Sequence, residues 1–111
     1  MSDEPKVLHL VLFRTTAGVP EERLAKVRGL FYACLEECAG LERVFAGPNI
    51  SASTFGAGWN LAVLMLFSSV DARDQFLPHP AHKRIGEETG AGFYEQLVVY
   101  DMPIRAQELP K

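Results

Sequence analysis

Three stretches of the chain are apolar at almost every position, and each has the length of a strand. Lys6–Arg14, KVLHLVLFR, lies between Pro5 and the turn-like TTAGVP. Trp59–Phe67 has the sequence WNLAVLMLF, and Phe93–Met102 has the sequence FYEQLVVYDM. Large apolar and β-branched residues bounded by turn residues are typical of strands. We predict strands in these three stretches, and a shorter strand over 41–50.

Elsewhere the apolar residues follow the period of a helix. Between Pro20 and Gly40 they recur every three or four positions, which predicts an amphipathic helix of about five turns. SVDARDQFL and HPAHKRIGEE predict further helical turns, the second with His79 as its cap and Pro80 as its first residue. Between the second and third strands, ASTFGAG is typical of a turn or loop.

The order of elements is strand, helix, strand, strand, helices, strand. Right-handed crossovers place both helical segments on one face of a four-stranded antiparallel sheet, the ferredoxin-like α+β (βαββαβ) arrangement. The strands are nevertheless apolar on both faces, and the chain has no further element to cover the second one. We therefore predict a homodimer through the sheet face, with the two sheets packed face to face about a two-fold axis.

Composition excludes several classes of function. The 111 residues are 48% hydrophobic and 23% charged, with a net charge of −3, which predicts a single globular domain over 1–111 with a core over about 6–103. No basic stripe suits nucleic acid, and no segment suits a membrane span or a secretory signal, so we expect a cytoplasmic protein. Cys34 and Cys38, four positions apart on the predicted helix, are expected to be buried thiols.

The three histidines allow different interpretations. They can be structural, with His79 as a helix cap, His82 in the first turn and His9 partly buried in a strand. His79 and His82 could also chelate zinc with His9, although Pro80 turns the cap residue away from the helix face that carries His82. A third interpretation is a proton-transfer pocket, because His9 interrupts an apolar strand face and imidazole titrates near neutral pH. We predict no metal and no cofactor.

Four segments together resemble one known family. HLVLFR, GPNIS, FSSVDARDQFLPHPAHKRI and VVYDM are similar to the corresponding parts of the stress-responsive A/B barrel (Dabb, dimeric α-β barrel) domain, over about Val7 to Met102. The pairing of H-x-V-L-F-[KR] near the start with an aromatic residue and H-P-x-H late in the chain carries most of the resemblance. Membership implies the ferredoxin-like fold and a face-to-face homodimer.

The resemblance also implies candidate site residues. In a plant polyketide cyclase of this family, the second histidine of H-P-x-H works with a preceding tyrosine, and a histidine of the first strand lines the same pocket. These two histidines correspond to His82 and His9. The tyrosine falls at Phe76 and a further pocket histidine falls at Leu61, so two polar groups are missing. An imidazole alone could still enolise a β-dicarbonyl compound.

Three functional hypotheses remain open. The first is a cyclase-like or isomerase-like enzyme for a small apolar or carbonyl compound, with His82 as general base and His9 orienting it. Its apolar pocket wall would come from four residues: Phe76, His79, Phe31 and Trp59. The second is a ligand-binding or stress-associated dimer without chemistry, and the third is a monooxygenase-like dimeric α-β barrel. Fold alone does not decide between them.

Overall fold

The computed structural model describes residues 4–90 and 92–105. It contains four strands, three α-helices and one short 3₁₀ turn over Thr54–Gly56. In chain order the elements are β1 (Lys6–Thr15), α1 (Glu21–Glu37), β2 (Leu41–Gly47), β3 (Leu61–Phe67), α2 (Val70–Phe76), α3 (Pro80–Thr89) and β4 (Tyr94–Ile104). The predicted ferredoxin-like order is confirmed.

The strands form one antiparallel sheet in the order β2-β3-β1-β4. Alternate residues of β1, such as Val11 and Phe13, are buried in one core with Val27 and Phe31 of α1. The intervening residues of β1 and β3 are half-buried on the other face, which we call the open face. Its apolar members in these strands are Leu8, Leu10, Leu12, Ala62, Leu64 and Leu66. The prediction of two apolar faces is therefore confirmed.

The segment between β2 and β3 differs from its prediction. β2 ends at Gly47 because Pro48 has no amide hydrogen to donate to a neighbouring strand. Ile50, which we placed in this strand, is 94% exposed. Asn49 closes the loop instead, since its Nδ2 donates to the carbonyl oxygens of Gly56 (3.0 Å) and Trp59 (2.8 Å).

Two other local predictions are confirmed. His79 caps α3, because its Nδ1 accepts a hydrogen bond of 3.0 Å from the backbone amide of Ala81. Cys34 and Cys38 are free, buried thiols, and burial raises the pKa of Cys34 to about 12. Burial also raises the pKa of Cys38, so neither thiol is ionised at neutral pH.

Within the described ranges, none of the helices is both long and apolar enough to cross a bilayer.

Candidate functional site

His9 lies in the middle of β1 on the helix-covered face and is only 5% exposed. Its register partner on β4 is Asp101, and the two side chains meet, with His9 Nδ1 2.6 Å from Asp101 Oδ1. The other oxygen, Oδ2, accepts a hydrogen bond of 2.8 Å from Nη1 of Arg73 on α2. A buried polar side chain in an apolar strand thus has a charged partner, as burial requires.

His82 lies in the first turn of α3 and is half-buried. Burial lowers the pKa of His82 below its usual value of 6.5, and the nearby His9 acts in the same direction. A hydrogen bond with the backbone of Leu77 raises this pKa, but it does not outweigh the other two effects. His82 is therefore a neutral imidazole at pH 7.

The ring of Phe76 connects the two histidines. It is 1% exposed, and its centroid is 4.8 Å from that of His82 and 6.2 Å from that of His9, both in edge-to-face geometry. Phe67 of β3 packs against it at 5.4 Å and also contacts His9. Close packing of this kind restricts the rotamers of both imidazoles.

His9 and His82 line one cavity of about 290 Å³ between the sheet and α3. Most of its wall is apolar, including Phe31 of α1 and Val99 of β4. Nε2 of His9 has no hydrogen-bond partner among the described residues. No fully buried side-chain nitrogen in those residues lacks a partner, so Nε2 retains some exposure, and His9 is one of the residues that line the cavity.

The remaining predicted site residues are distributed differently. Phe31 lines the cavity. Phe76 packs against both histidines but does not line the cavity, and together with His79 it lines a separate small depression. Trp59 lines a separate groove of about 710 Å³ whose floor includes Leu12 and Ala62 of the open face. The structure therefore does not bring Trp59 or His79 to the histidine cavity. In residues 4–90 and 92–105, no three His, Cys, Asp or Glu side chains are grouped as metal ligands.

Sequence analysis missed three polar residues of this region. Asp101 contacts His9, Arg73 donates to Asp101, and Tyr94, the first residue of β4, lines the cavity. Asp101 carried a detectable signal, because it is a charged residue inside the apolar strand segment VVYDM, just as His9 is a polar residue inside HLVLFR. Arg73 had no comparable signal, since a charged residue on a short surface helix is ordinary.

A ferredoxin-like domain with a histidine-lined cavity between sheet and helices defines the class of this protein. The sequence profile of the Stress Responsive A/B Barrel Domain (Dabb) matches residues 7–104. The chain therefore belongs to the Dabb family, as the resemblance predicted. A search among curated proteins finds no match to the chain.

Solved structures share the fold at low sequence identity. A dimeric ferredoxin-like protein of unknown function from a Jannaschia species is 22% identical, with a TM-score of 0.77, over 87% of this chain and 97% of that one. A hydroxynitrile lyase from Passiflora edulis is 18% identical, with a TM-score of 0.77, over 95% and 97%. A Dabb family protein from Mesorhizobium loti is 15% identical, with a TM-score of 0.70, over 89% and 96%.

Proposed function

We propose that this protein is a homodimer whose cavity binds a small, uncharged carbonyl compound and transfers a proton to and from it. The observation that carries the proposal is the pairing of two imidazoles in different environments on one cavity. His9 is buried against a carboxylate, and His82 is kept neutral by its surroundings. Two titratable groups whose environments differ in this way suit acid–base chemistry.

The cavity wall supports the class of ligand. Its lining in the described part of the chain contains no lysine, arginine, aspartate or glutamate, so apart from the two imidazoles nothing there would neutralise a charged ligand. A volume of about 290 Å³ lies near the lower end of ligand pockets, which is about 300 Å³. Both properties favour a compact apolar molecule with one or two carbonyl groups.

The contacts support the reverse of the roles predicted from sequence, where His82 was the general base and His9 oriented it. Asp101 fixes His9 through Nδ1 and leaves Nε2 unpaired, whereas burial disfavours a proton on His82. His9 is thus the general base, and neutral His82 hydrogen-bonds the ligand. His9 Nε2 takes a proton from the carbon next to a carbonyl, the C–H electron pair becomes the C=C bond of an enolate, and the charge moves to the carbonyl oxygen. Returning the proton completes an isomerisation or exchange.

Tyr94 is the candidate donor to the carbonyl oxygen. It lines the cavity, and its hydroxyl has no hydrogen-bond partner in the part of the chain that the structure describes. This hydroxyl occupies a different position from the tyrosine of the polyketide cyclase, which corresponds to Phe76. We therefore propose enolisation rather than the complete aldol condensation of the cyclase. The hydroxynitrile lyase shares the fold of this chain.

The homodimer is proposed to form through the open face. Large apolar side chains on this face and on the adjoining loop are between 39% and 97% exposed: Phe45, Ile50, Phe55, Val98, Tyr100 and Met102. Together they expose on the order of 800 Å², about the area that each partner buries in a standard interface. Solved relatives of the same fold are described as dimeric, which supports a second copy as the cover.

Hydrogen–deuterium exchange tests the proposed chemistry. A panel of β-dicarbonyl compounds in D₂O is followed by NMR, and the protein should accelerate loss of the α-hydrogen signal over buffer. His9→Ala should lower the acceleration by about 10²-fold or more, the contribution typical of a general base. His79→Asn, which keeps a capping side chain outside the cavity, is the matched control and should exchange like the wild type.

A non-catalytic ligand-binding dimer is the competing outcome. It would show saturable binding of the same compounds with exchange no faster than in buffer, and that result would sink the catalytic proposal. If His9→Ala and His82→Ala lower stability but leave binding unchanged, the histidines are structural. The oligomeric state is tested separately by light scattering, where Tyr100→Asp on the open face should convert a dimer to a monomer.

A further inference from the structure

Asp101 alone is a poor anchor for His9. It lies on β4, an edge strand, and its side chain is 30% exposed. A partly exposed carboxylate can turn toward water, because a surface ion pair contributes little against the entropy of fixing its side chains. A single contact between Oδ1 and His9 therefore does not by itself hold the carboxylate in one orientation.

Arg73 supplies the second point of attachment. Its Nη1 is 2.8 Å from Oδ2 of Asp101, so each oxygen of the carboxylate has its own partner. The guanidinium is in turn held by Asp74, whose Oδ1 accepts from Nε at 3.0 Å and lies 2.9 Å from Nη2. Because guanidinium is planar and rigid, these contacts fix the plane of the Asp101 carboxylate.

The consequence for His9 is a defined tautomer. An ionised carboxylate only accepts hydrogen bonds, so Nδ1 of His9 must carry the proton that it shares with Oδ1. In a neutral imidazole this leaves Nε2 without a proton, and Nε2 is the nitrogen of this cavity-lining residue that Asp101 does not occupy. Arg73, Asp74 and Asp101 together carry one negative charge, so a proton gained by His9 makes the group neutral.

We propose that Arg73 is a positioning residue for the cavity: through Asp101 it holds His9 in the Nδ1–H tautomer and keeps Nε2 free to accept. It touches no ligand itself, since it is not part of the cavity lining. This inference deepens the proposed function by assigning a residue that prepares the base. Its test reads the imidazole directly and does not depend on turnover.

Two-bond ¹H–¹⁵N correlation spectra of the full chain with labelled histidine distinguish the two tautomers. The signal of His9 is identified by its loss in His9→Gln. Once the pH has been raised until the His9 signals no longer shift, the wild type should show His9 as a single Nδ1–H form. Arg73→Met should give a mixture that includes the Nε2–H form, and Arg73→Lys should restore most of the original pattern. Arg84→Met, which removes an arginine paired with Glu37 elsewhere on the surface, should leave His9 unchanged.

The proposal is overturned if Arg73→Met shows the same single tautomer as the wild type. Asp101→Asn provides a second variant in case Arg73→Met does not fold. Its amide can donate to Nδ1, so His9 should change to the Nε2–H form, and an unchanged tautomer there would also overturn the proposal. Failure of the hydrogen–deuterium exchange experiment would refute the proposed chemistry but would not alter these spectra, so the two failures are distinguishable.

Discussion

Phe76→Ala tests whether the two histidines are packed around one ring as described. Phe76 is 1% exposed and contacts three rings, with centroid distances of 4.8 Å to His82, 5.4 Å to Phe67 and 6.2 Å to His9. Replacing a buried phenylalanine by alanine costs about 3–5 kcal/mol of unfolding free energy. Each ring contact stabilises the fold by about 0.5–1.5 kcal/mol beyond the effect of burying apolar surface, but the three contributions do not simply add. We therefore expect Phe76→Ala to lower the unfolding free energy by about 4 kcal/mol.

Urea unfolding followed by circular dichroism measures this loss. With an m-value of about 1.5 kcal/mol/M, the midpoint should fall by about 2.7 M. Protomer concentrations must be equal, because the stability of a dimer depends on concentration. Leu35→Ala is the control, since Leu35 lies on α1 and is 40% exposed, and it should cost no more than about 1 kcal/mol. A loss below about 1 kcal/mol for Phe76→Ala would refute the packing of this ring between the imidazoles.

Other predictions concern titration, thiol reactivity and backbone conformation. The pKa of His82 is lowered in the folded chain, so the unfolded chain binds more protons just below pH 6.5, and stability should fall as the pH falls through that window. His82→Gln should flatten this dependence in urea titrations between pH 7.5 and 5.5, and an equally steep curve would contradict it. Because burial raises the pKa of Cys34 to about 12, iodoacetamide should alkylate this thiol in urea far faster than in the folded protein. Gly40→Ala should destabilise the fold by more than about 1 kcal/mol, since φ is +84° and the new Cβ would lie 2.5 Å from that of Ala72. Gly29→Ala on α1 meets no atom within 4 Å and should instead stabilise by about 0.5–1 kcal/mol, so equal effects in thermal melts would refute both.

The sequence predicted the elements that depend on local pattern. Alternation in β1 and β3 and the capping signal before Pro80 follow from rules that involve neighbouring residues only. The loop after β2 was harder to predict, because Ile50 is a β-branched apolar residue of the kind that favours strands. Only the side-chain contacts of Asn49 show that the chain has already turned. Trp59 was assigned to the apolar wall of the pocket, but it lies before β3, which begins at Leu61, so the alternation of that strand does not fix its face.

The candidate site could be predicted only in part, for a similar reason. His9 and His82 were identifiable from an interrupted strand pattern and from family motifs. Their charged partners depend on register, since Asp101 meets His9 only because β4 pairs with β1 in one alignment. Predicting the contact of Arg73 with Asp101 requires one further piece of information, the placement of α2 beside the part of β4 that carries Asp101. Residues that act through another residue leave no local pattern in a single sequence.

The edge position of β4 leaves one side of the histidine cavity less covered than the others. The strand order puts β4 beside β1, yet its helix-side residues Leu97 and Val99 remain 39% and 53% exposed, so the helices of this chain do not cover them fully. Both residues line the cavity together with Tyr94. The side of the cavity away from α1 is therefore formed by a strand with partly exposed side chains, which is where a small molecule can enter. For the proposed carbonyl ligand, selectivity should then respond to substitutions in β4 more strongly than to changes in the buried wall, because a β4 side chain can change size without disturbing the core.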